Sequence, residues 1–449
     1  MKIVLVGTGK VGGKLLESLA SENHDIYIVD TDPKTVDSLV NKFDVFGVVG
    51  SGSERDILLE AGVDKADLFI ACTSRDEFNM VCCVLAKGLG VKYAIARVRD
   101  PEYIKETATL NSYLGIDMVF NPEYRTAMEI AQILKFPSAL KIESFASGKA
   151  MLIKFHIANG NHIIGKTVMD LAKEVDSNVI FATAIRDEEV FIPRGDFVIE
   201  ENDDLYVIGK ESDIVSFSKK INLFKPSAKS VFIIGGGKVG YYLTKKLIES
   251  GVSVKIIENN EKRCVELSDE LPKASIIYGD GSEQELLEEE NISEFDACVT
   301  LTGMDELNVM LSLFAKEEGV DKVITKVDRP SIIEMVSTLG IDTCLSPRTV
   351  IADHVLRFAR SRQSNEKSVR SLYKIHEKVE AIEFIINEES EITSTPLKDL
   401  KVKGTAIIAG IIRGNDFIKP GGETNFLVGD KVLVVTTAQG VTELEQIIG

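Results

Sequence analysis

The sequence has fewer basic than acidic residues, few histidines and cysteines, and no tryptophan. Its 449 residues hold 52 Lys and Arg against 70 Asp and Glu, which gives a net charge of −18 at pH 7. This balance disfavours nonspecific binding to nucleic acid or to an anionic membrane surface, because both repel a polyanion. We therefore expect no nucleic-acid partner, whereas a protein partner with a basic face stays open.

The cysteines do not indicate a metal site or a disulfide framework. None of the six lies in a CxxC spacing, so we expect reduced, mostly buried thiols. Acidic clusters occur at 187–189 and 288–290, but such runs are more typical of a solvated face than of a cation site. No metal is therefore predicted. The cysteines are Cys72, Cys82, Cys83, Cys264, Cys298 and Cys344.

Long apolar runs and common catalytic motifs are also missing. No 18 consecutive residues are apolar, so no segment is predicted to span a membrane alone. We interpret the run 1–6, which ends at Gly7, as a strand rather than a signal peptide. HExxH, GxSxG and GxxxxGK[ST] do not occur. No histidine falls at a predicted strand end of either Rossmann-like unit, where a dehydrogenase would need its acid or base. No catalytic residue and no enzyme activity are predicted; the histidines are His24, His156, His162, His354 and His376.

The chain repeats itself. Residues 2–12 read KIVLVGTGKVG and residues 230–240 read SVFIIGGGKVG. Gly7 and Gly235 are 228 apart (235 − 7), as are Asp30 and Glu258 (258 − 30). DEFN at 76–79 returns as DELN at 305–308, and LGID at 114–117 returns as LGID at 339–342. A nearly constant offset at successive landmarks indicates two copies of one unit.

Each unit has two parts. The first alternates short apolar strands with helical stretches, which predicts a doubly wound parallel sheet. The second has short strands with one helix, and a further helix lies between the parts. The fold class is therefore α/β, with two tandem Rossmann-like domains, each followed by a crossover helix and a small α+β domain. The predicted boundaries are 1–121, 122–140 and 141–224 for the first unit, and 229–347, 348–368 and 369–449 for the second.

The first glycine loop predicts a nucleotide site. Gly7, Gly9 and Gly12 form G-x-G-x-x-G between an apolar strand and a helix. In this context the glycines allow a tight turn, close approach of a pyrophosphate and close helix packing, while the helix N-terminus attracts phosphate. Asp30 follows 18 residues later (30 − 12), at the end of the next strand, where it could accept hydrogen bonds from a ribose. Such a carboxylate favours NAD or an adenosine phosphate over NADP. Thr8, Lys10 and Val11 complete the loop.

The second copy keeps this set. Gly235, Gly237 and Gly240 are the glycines and Glu258 is the acid, with Gly236, Lys238 and Val239 completing the loop. The alternative is that the glycines of either loop serve packing only, in a fold that has lost its ligand.

Further candidates lie at strand ends. Loops after the third strands carry Ser51 and Asp280, on the predicted adenine side. The fourth strands end at Thr73 and Thr302, near the predicted pyrophosphate. Arg97 and Lys326 occupy equivalent positions on the fifth strands, where each would meet a phosphate or form a surface salt bridge.

The repeated order of Rossmann-like domain, crossover helix and small domain resembles the RCK/KTN regulators of potassium transport. The resemblance rests on GTGKVG and GGGKVG, the acids Asp30 and Glu258, and the paired DEFN/DELN and LGID segments. It covers essentially the whole chain. By this resemblance, ligand contacts would come from Gly7, Gly9, Gly12, Asp30 and Thr73, and from Gly235, Gly237, Gly240, Glu258 and Thr302.

The resemblance also implies partners. Four chains would form a homotetrameric ring on the cytoplasmic face of the membrane, beneath a potassium channel or transporter subunit of the Trk/Ktr type (TrkH-like). NAD or NADH, ATP and ADP would bind the Rossmann-like lobes and change the shape of the ring, which gates the membrane partner. The family loop after the third strand often carries Asp, as at Asp280; Ser51 departs from this, so the two sites could prefer different ligands. A regulator of another potassium channel or efflux system, or an NAD-dependent oxidoreductase, are the alternatives.

Overall fold

The structure is a computed structural model that describes residues 1–449 apart from 23, 106, 140, 176–177, 340, 342, 364–368, 377, 439, 442 and 449. Gly340 and Asp342 of the second LGID segment, residue 140, residues 364–368 and residue 449 of the predicted domains therefore lie outside the described residues. The described chain forms two compact units. One comprises Met1–Leu134 and Ala228–Ala359, and the other Lys135–Ser227 and Arg360–Gly449.

The first Rossmann-like lobe is a six-stranded parallel sheet with helices between its strands. Its elements are β1 (Lys2–Val6), α1 (Lys10–Ala20), β2 (Asp25–Asp30), α2 (Pro33–Lys42), β3 (Phe46–Val49), α3 (Arg55–Glu60), β4 (Leu68–Ala71), α4 (Asp76–Leu89), β5 (Tyr93–Arg97), α5 (Pro101–Lys105), α6 (Thr107–Leu114) and β6 (Met118–Phe120). The strand order is β3-β2-β1-β4-β5-β6. In the centre, Val6 of β1 lies opposite Val29 of β2 and Ala71 of β4. The order reverses beside β1, and ligands of such sheets bind at this reversal, outside the carboxyl ends of the strands.

A crossover helix and a small antiparallel domain follow. These are α7 (Pro122–Lys135), β7 (Lys141–Phe145), β8 (Ala150–His156), α8 (Val168–Val175), β9 (Ile180–Arg186), β10 (Glu189–Phe191), β11 (Asp204–Gly209) and α9 (Glu211–Lys220). The small sheet has the order β10-β9-β11-β8-β7.

The second copy repeats both sheets. It contains β12 (Ser230–Ile234), α10 (Lys238–Glu249), β13 (Ser253–Glu258), α11 (Glu261–Glu270), β14 (Ser275–Tyr278), α12 (Gln284–Glu289), β15 (Ala297–Thr300), α13 (Asp305–Glu317), β16 (Lys322–Lys326), α14 (Pro330–Thr338), β17 (Thr343–Leu345), α15 (Pro347–Gln363), β18 (Val369–His376), β19 (Val379–Ile385), α16 (Glu391–Ser394), β20 (Ala406–Arg413), β21 (Asp416–Ile418) and β22 (Lys431–Thr436). The orders are β14-β13-β12-β15-β16-β17 and β18-β19-β22-β20-β21. The predicted fold class is confirmed.

The central strands are apolar because helices cover both faces of each parallel sheet. Every residue of β4 and of β15 is buried. Two helix ends show clear caps: the Asp32 carboxylate accepts a hydrogen bond from the backbone N–H of Lys34 at the start of α2, and Gly90 ends α4 in the left-handed region. Both devices satisfy backbone groups that a helix end leaves unpaired.

The two crossover helices are exchanged between the lobes. Ala127, Ile130 and Leu134 of α7 belong to a buried cluster with Val231 and Leu243 of the second lobe. The Tyr124 ring likewise meets Tyr242 edge to face, with centroids 5.4 Å apart. Each crossover helix therefore packs on the other copy's lobe; the reciprocal contacts join Ile351, Ala352, Val355 and Ala359 of α15 to Ile3, Leu5 and Leu15 of the first lobe.

The small domains form the second compact unit. Phe145 and Leu152 of the first small domain share a buried cluster with Tyr373 and Leu433 of the second. Glu383, only 4% exposed, accepts a hydrogen bond from the backbone N–H of Ala146 across this junction. The repeat thus pairs its two copies within one chain, both in the lobes and in the small domains.

Candidate functional site

The first glycine loop contains one glycine that protein packing does not require. Gly7 has φ +86°, and a Cβ on Gly12 would lie 2.0 Å from the Gly7 carbonyl oxygen, so both need glycine for the fold. A Cβ on Gly9 would have no atom within 4 Å. Gly9 is also the residue that precedes α1. The open space therefore lies beside the helix N-terminus, where a phosphate would approach.

The second loop follows the same rule. Gly235 has φ +110°, and a Cβ on Gly240 would lie 2.5 Å from the Gly235 oxygen. Around a Cβ on Gly237 there is again no atom within 4 Å. Gly236 is packed against Leu267 and Glu258, so packing favours glycine at this position as well. The two loops thus share one open glycine each, at equivalent positions.

Asp30 holds the first loop in place. Its carboxylate accepts hydrogen bonds from the Thr8 backbone N–H at 2.8 Å, the Thr8 hydroxyl at 2.7 Å and the Asp32 N–H at 3.1 Å. Partial burial raises the pKa of Asp30, but the hydrogen bonds from Thr8, Asp32 and Thr31 outweigh it and leave the pKa below its ordinary value. Asp30 is therefore an anion that organises the loop as well as a candidate ribose contact.

Glu258 does the same in the second lobe. Its carboxylate accepts from the Gly236 N–H at 2.8 Å and from the Asn260 N–H at 2.9 Å. Arg263 lies beside it and donates to the Gly236 carbonyl at 3.0 Å. The position of Arg263 corresponds to Thr35 in the first copy (263 − 228), so the second site has a cation at this position and the first does not.

The DEFN segment positions the strand ends. The Asn79 side chain is fully buried; its oxygen accepts from the Thr73 N–H and hydroxyl, and its amide donates to the carbonyl oxygens of Thr73 and Arg97. Asp76 accepts from the N–H groups of Arg99 and Asp100. Asn308 and Asp305 repeat these bonds in the second lobe. The repeated motif thus ties the ends of β4 and β5 together beneath the site.

A cavity of about 600 Å³ opens at the first glycine loop. It unites residues that the sequence predicts at four separate strand ends, and it also includes residues of the second lobe. Cys72 lines it too, but burial raises the pKa of this thiol to about 12, so it is not an activated nucleophile. The predicted residues among its lining are Gly7, Gly9, Lys10, Val11, Asp30, Thr73 and Arg97 from the first copy and Val239 and Lys326 from the second.

The remaining predicted residues of the first lobe surround this cavity. Thr8 is buried against Asp30, Gly12 packs under Gly7, and the Ser51 hydroxyl lies 2.9 Å from the Ser53 hydroxyl, between two glycines that line the cavity.

A second cavity, of about 910 Å³, opens at the second glycine loop. Gly237, Lys238 and Glu258 line it, together with Arg99 and Asp100 of the first lobe. Val239 and Lys326 line the first cavity instead. Gly235, Gly236 and Gly240 build the loop, Asp280 accepts from the Ser282 N–H and hydroxyl, and Thr302 is held by Asn308.

Several lining residues are not among those predicted from the sequence. Glu123, Asp328 and Arg348 line the first cavity, and Arg99 and Arg263 line the second. A signal for two of them exists: RVRDP at 97–101 and KVDRP at 326–330 are a further repeated segment. Glu123 lies just after β6 of the first lobe. Arg348 lies in α15 of the second copy and reaches this cavity through the helix exchange, a tertiary feature that carries no such signal.

No histidine lines either cavity; His354 of α15 is half-buried and contacts α7, the other crossover helix. Its Nε2 lies 3.0 Å from a guanidinium nitrogen of Arg125. Burial, then the positive charges of Arg125 and Arg357, lower the pKa of His354 to about 3. In the described parts of the chain no group of three or more His, Cys, Asp or Glu side chains is placed to hold a metal ion. No described helix is long and apolar enough to cross a membrane.

The fold and the two loops define a protein with two Rossmann-like lobes in tandem, each followed by a small α+β domain. Family models match both parts of each copy: the TrkA-N domain matches residues 3–122 and 231–347, and the TrkA-C domain matches residues 152–222 and 381–449. The chain belongs to the TrkA family.

Curated relatives match over almost the whole length. Trk system potassium uptake protein TrkA homolog 1 of Methanosarcina mazei is 34% identical over 455 residues, which cover 99% of each chain. The TrkA homolog of Archaeoglobus fulgidus is 33% identical over 448 residues, which cover 100% of each chain. TrkA of Vibrio alginolyticus is 32% identical over 425 residues, with 93% of this chain and 92% of the relative covered.

Solved structures share the fold. The GsuK channel bound to NAD matches with a TM-score of 0.65 at 19% identity, covering 99% of this chain and 78% of that chain. The GsuK RCK domain matches with a TM-score of 0.64 at 18% identity, covering 98% and 92%. The resemblance to RCK regulators that the sequence motifs predict is confirmed.

Proposed function

We propose that this chain is a non-enzymatic regulatory subunit of a potassium uptake system. It binds NAD(H) and adenine nucleotides in its Rossmann-like lobes and gates a membrane potassium channel or transporter subunit of the TrkH type. It acts as a homotetrameric ring on the cytoplasmic face of the membrane, attached through that partner. The relatives' shared description as Trk system potassium uptake proteins supports the transport role.

The single observation that carries nucleotide binding is the open space at Gly9 and Gly237. Each glycine precedes a helix N-terminus, and neither is needed for packing. At a glycine needed only for packing, protein atoms occupy the space where a Cβ would lie, as they do at Gly12 and Gly240. The anchored acids Asp30 and Glu258 favour ligands with a free ribose hydroxyl over those with a 2′-phosphate.

Native mass spectrometry of the whole chain with NADH, ATP and ADP added in turn tests the binding and the assembly. We expect a tetramer that takes up several nucleotides and returns them chemically unchanged. A monomer that binds none of the three would contradict the proposal, and oxidation of NADH with a small substrate would favour an oxidoreductase. Potassium flux through the reconstituted membrane partner, with and without each nucleotide, tests the gating.

A further inference from the structure

The segment 97–101, which begins at the end of β5, borders both cavities. Arg97 lines the first cavity, whereas Arg99, Asp100 and Pro101 line the second. The segment therefore reaches from one glycine-loop site to the other within five residues of backbone. A shift of this backbone at one cavity also moves part of the lining of the other.

Two side chains of α4 fix this segment to the first site. Asn79 accepts a hydrogen bond from the N–H of Thr73, which lines the first cavity, and donates to the carbonyl oxygen at the start of the segment at 2.9 Å. Asp76 accepts from the N–H groups of Arg99 at 2.7 Å and Asp100 at 2.9 Å. The end of β4 and the segment 97–101 are thus held by the same helix.

The side chain of Arg99 is a direct contact between the two cavities. Its guanidinium lines the second cavity and donates to the carbonyl oxygen of Ser74, which lines the first. The Nε of Arg99 lies 3.6 Å from Oδ1 of Asp76, and these two buried atoms have no hydrogen-bond partner in the described chain. A buried donor in this state gains free energy when an acceptor comes within reach. A phosphate in the second cavity would be such an acceptor.

The two copies differ at this position. Arg99 corresponds to Asp328 in the second copy (328 − 99 = 229), and Asp328 lines the first cavity. Its carboxylate lies 3.4 Å from Arg348 and repels an anion. The repeated segment therefore presents a cation to a ligand of the second cavity and a carboxylate to a ligand of the first.

We propose that Arg99 couples the two nucleotide sites of one chain, so that a nucleotide in the second cavity weakens nucleotide binding in the first. A phosphate in the second cavity attracts the Arg99 guanidinium and draws it away from Ser74 and Asp76. The loop after β4 then loses a contact that fixes it beside the first cavity. The coupling is reciprocal, since each ligand must change the affinity of the other by the same factor. This inference rests on the proposed nucleotide binding and adds a regulation to it.

The test titrates ADP into three full-length chains by isothermal titration calorimetry: the unaltered chain, Gly9→Ala and Gly237→Ala. Each alanine places a methyl group in the open space of one glycine loop, so each variant retains only the site of the other lobe. For independent sites, the isotherm of the unaltered chain equals the sum of those of the two variants. We expect its second ADP to bind at least about fivefold more weakly than this sum predicts.

Arg99→Gln, introduced into all three chains, assigns the coupling to this side chain. The two single-site variants then measure any direct loss of affinity, and the two-site chain should equal their sum. Arg99→Lys keeps a cation and should retain part of the coupling. Arg329→Gln is the matched control: Arg329 belongs to the repeated segment, pairs with Asp305 and lies outside the described lining of both cavities. It should leave the coupling unchanged.

Several outcomes would overturn the coupling while nucleotide binding stands. These are an unaltered chain whose isotherm equals the sum, a second ADP that binds more tightly than the sum predicts, uptake of one ADP per chain, and a coupling that persists in Arg99→Gln. If none of the three chains binds ADP, the proposed function itself fails.

Discussion

At the scale of single residues, Gly9 separates a binding role from a packing role. Gly9→Ala places a methyl group in open space next to the N-terminus of α1, at a backbone conformation that alanine accepts. We expect the fold to be retained and nucleotide binding in the first lobe to be lost, because the methyl group occupies the path of the phosphate. Thermal unfolding and calorimetric binding measure the two effects.

Gly13→Ala is the matched control for this prediction. Gly13 lies inside α1, where a Cβ would make an ordinary contact of 3.6 Å with the Thr8 oxygen. An alanine there should stabilise the helix by up to about 1 kcal/mol and leave affinity intact. If Gly9→Ala bound nucleotide with unchanged affinity, the first loop would have a purely structural role.

Asp30 combines loop support with a candidate ribose contact, and a second variant separates these roles. Asp30→Ala should weaken nucleotide binding in the first lobe by about 1.5–3 kcal/mol, the value of a hydrogen bond to a charged group. Thr8→Val removes only the hydroxyl that Asp30 accepts and keeps the backbone hydrogen bond. We expect a clearly smaller loss for Thr8→Val in the same titration. Equal losses would mean that Asp30 acts only by shaping the loop.

At the scale of elements, the exchanged crossover helices predict which lobe is destabilised by a substitution in each helix. Ile130 of α7 is 1% exposed and belongs to the core of the second lobe, whereas Ile351 of α15 is fully buried in the core of the first. Ile130→Ala and Ile351→Ala should each cost about 2–5 kcal/mol. Hydrogen exchange should accelerate in β12, β13 and β15 for the first variant and in β1, β2 and β4 for the second. The opposite assignment would show that each helix stabilises its own copy.

The contact between these helices also predicts acid sensitivity. The pKa of His354 is about 3 in the folded chain, against an ordinary value near 6.5 in an unfolded one. Between these values the unfolded chain binds a proton that the folded chain does not, so stability falls as the pH falls from 6.5 towards 3. The largest slope from this group is about 1.4 kcal/mol per pH unit.

Urea unfolding at several pH values measures this slope. His354→Gln should flatten the dependence between pH 6.5 and 4, since it removes the proton that the unfolded chain gains. His162→Gln, at an exposed position of the first small domain, is the matched control and should leave the slope as it is. A slope that persists in His354→Gln would assign the acid sensitivity to other groups.

The elements also show what a sequence can and cannot predict. The glycine loops, the strand-end acids and both kinds of sheet can be predicted from local patterns, because turn geometry and apolar runs depend on residues that are adjacent in the sequence. The buried stripe Ala127, Ile130 and Leu134 is likewise visible as helical periodicity. The sequence does not show which lobe this stripe packs against, since an apolar stripe fits the sheet of either copy equally well. For this reason the sequence does not predict that Arg348 reaches the first cavity through the exchange, or that Lys326 lines the other copy's site.

At the scale of the whole molecule, the proposed gating has to draw on several sites. Moving a gate from 1:99 to 99:1 needs about 10⁴-fold differential affinity, or about 5.5 kcal/mol, which no single loop contact supplies. Four equivalent sites in a ring, each favouring one ring shape about tenfold, contribute about 1.4 kcal/mol apiece and together reach this value. The exchanged helices give each site a means of acting on both lobes of its chain.

Rings assembled from mixtures of unaltered and Gly9→Ala chains test this summation. The number of intact first-lobe sites per ring is read by native mass spectrometry, and potassium flux through the reconstituted partner is measured at saturating nucleotide. We expect the ratio of open to closed states to rise about tenfold with each intact site, because the sites add free energies rather than fluxes. Rings of unaltered and Gly13→Ala chains should respond fully at every ratio. If one intact site per ring produced the same flux as four, each site would act alone and the summation would be wrong.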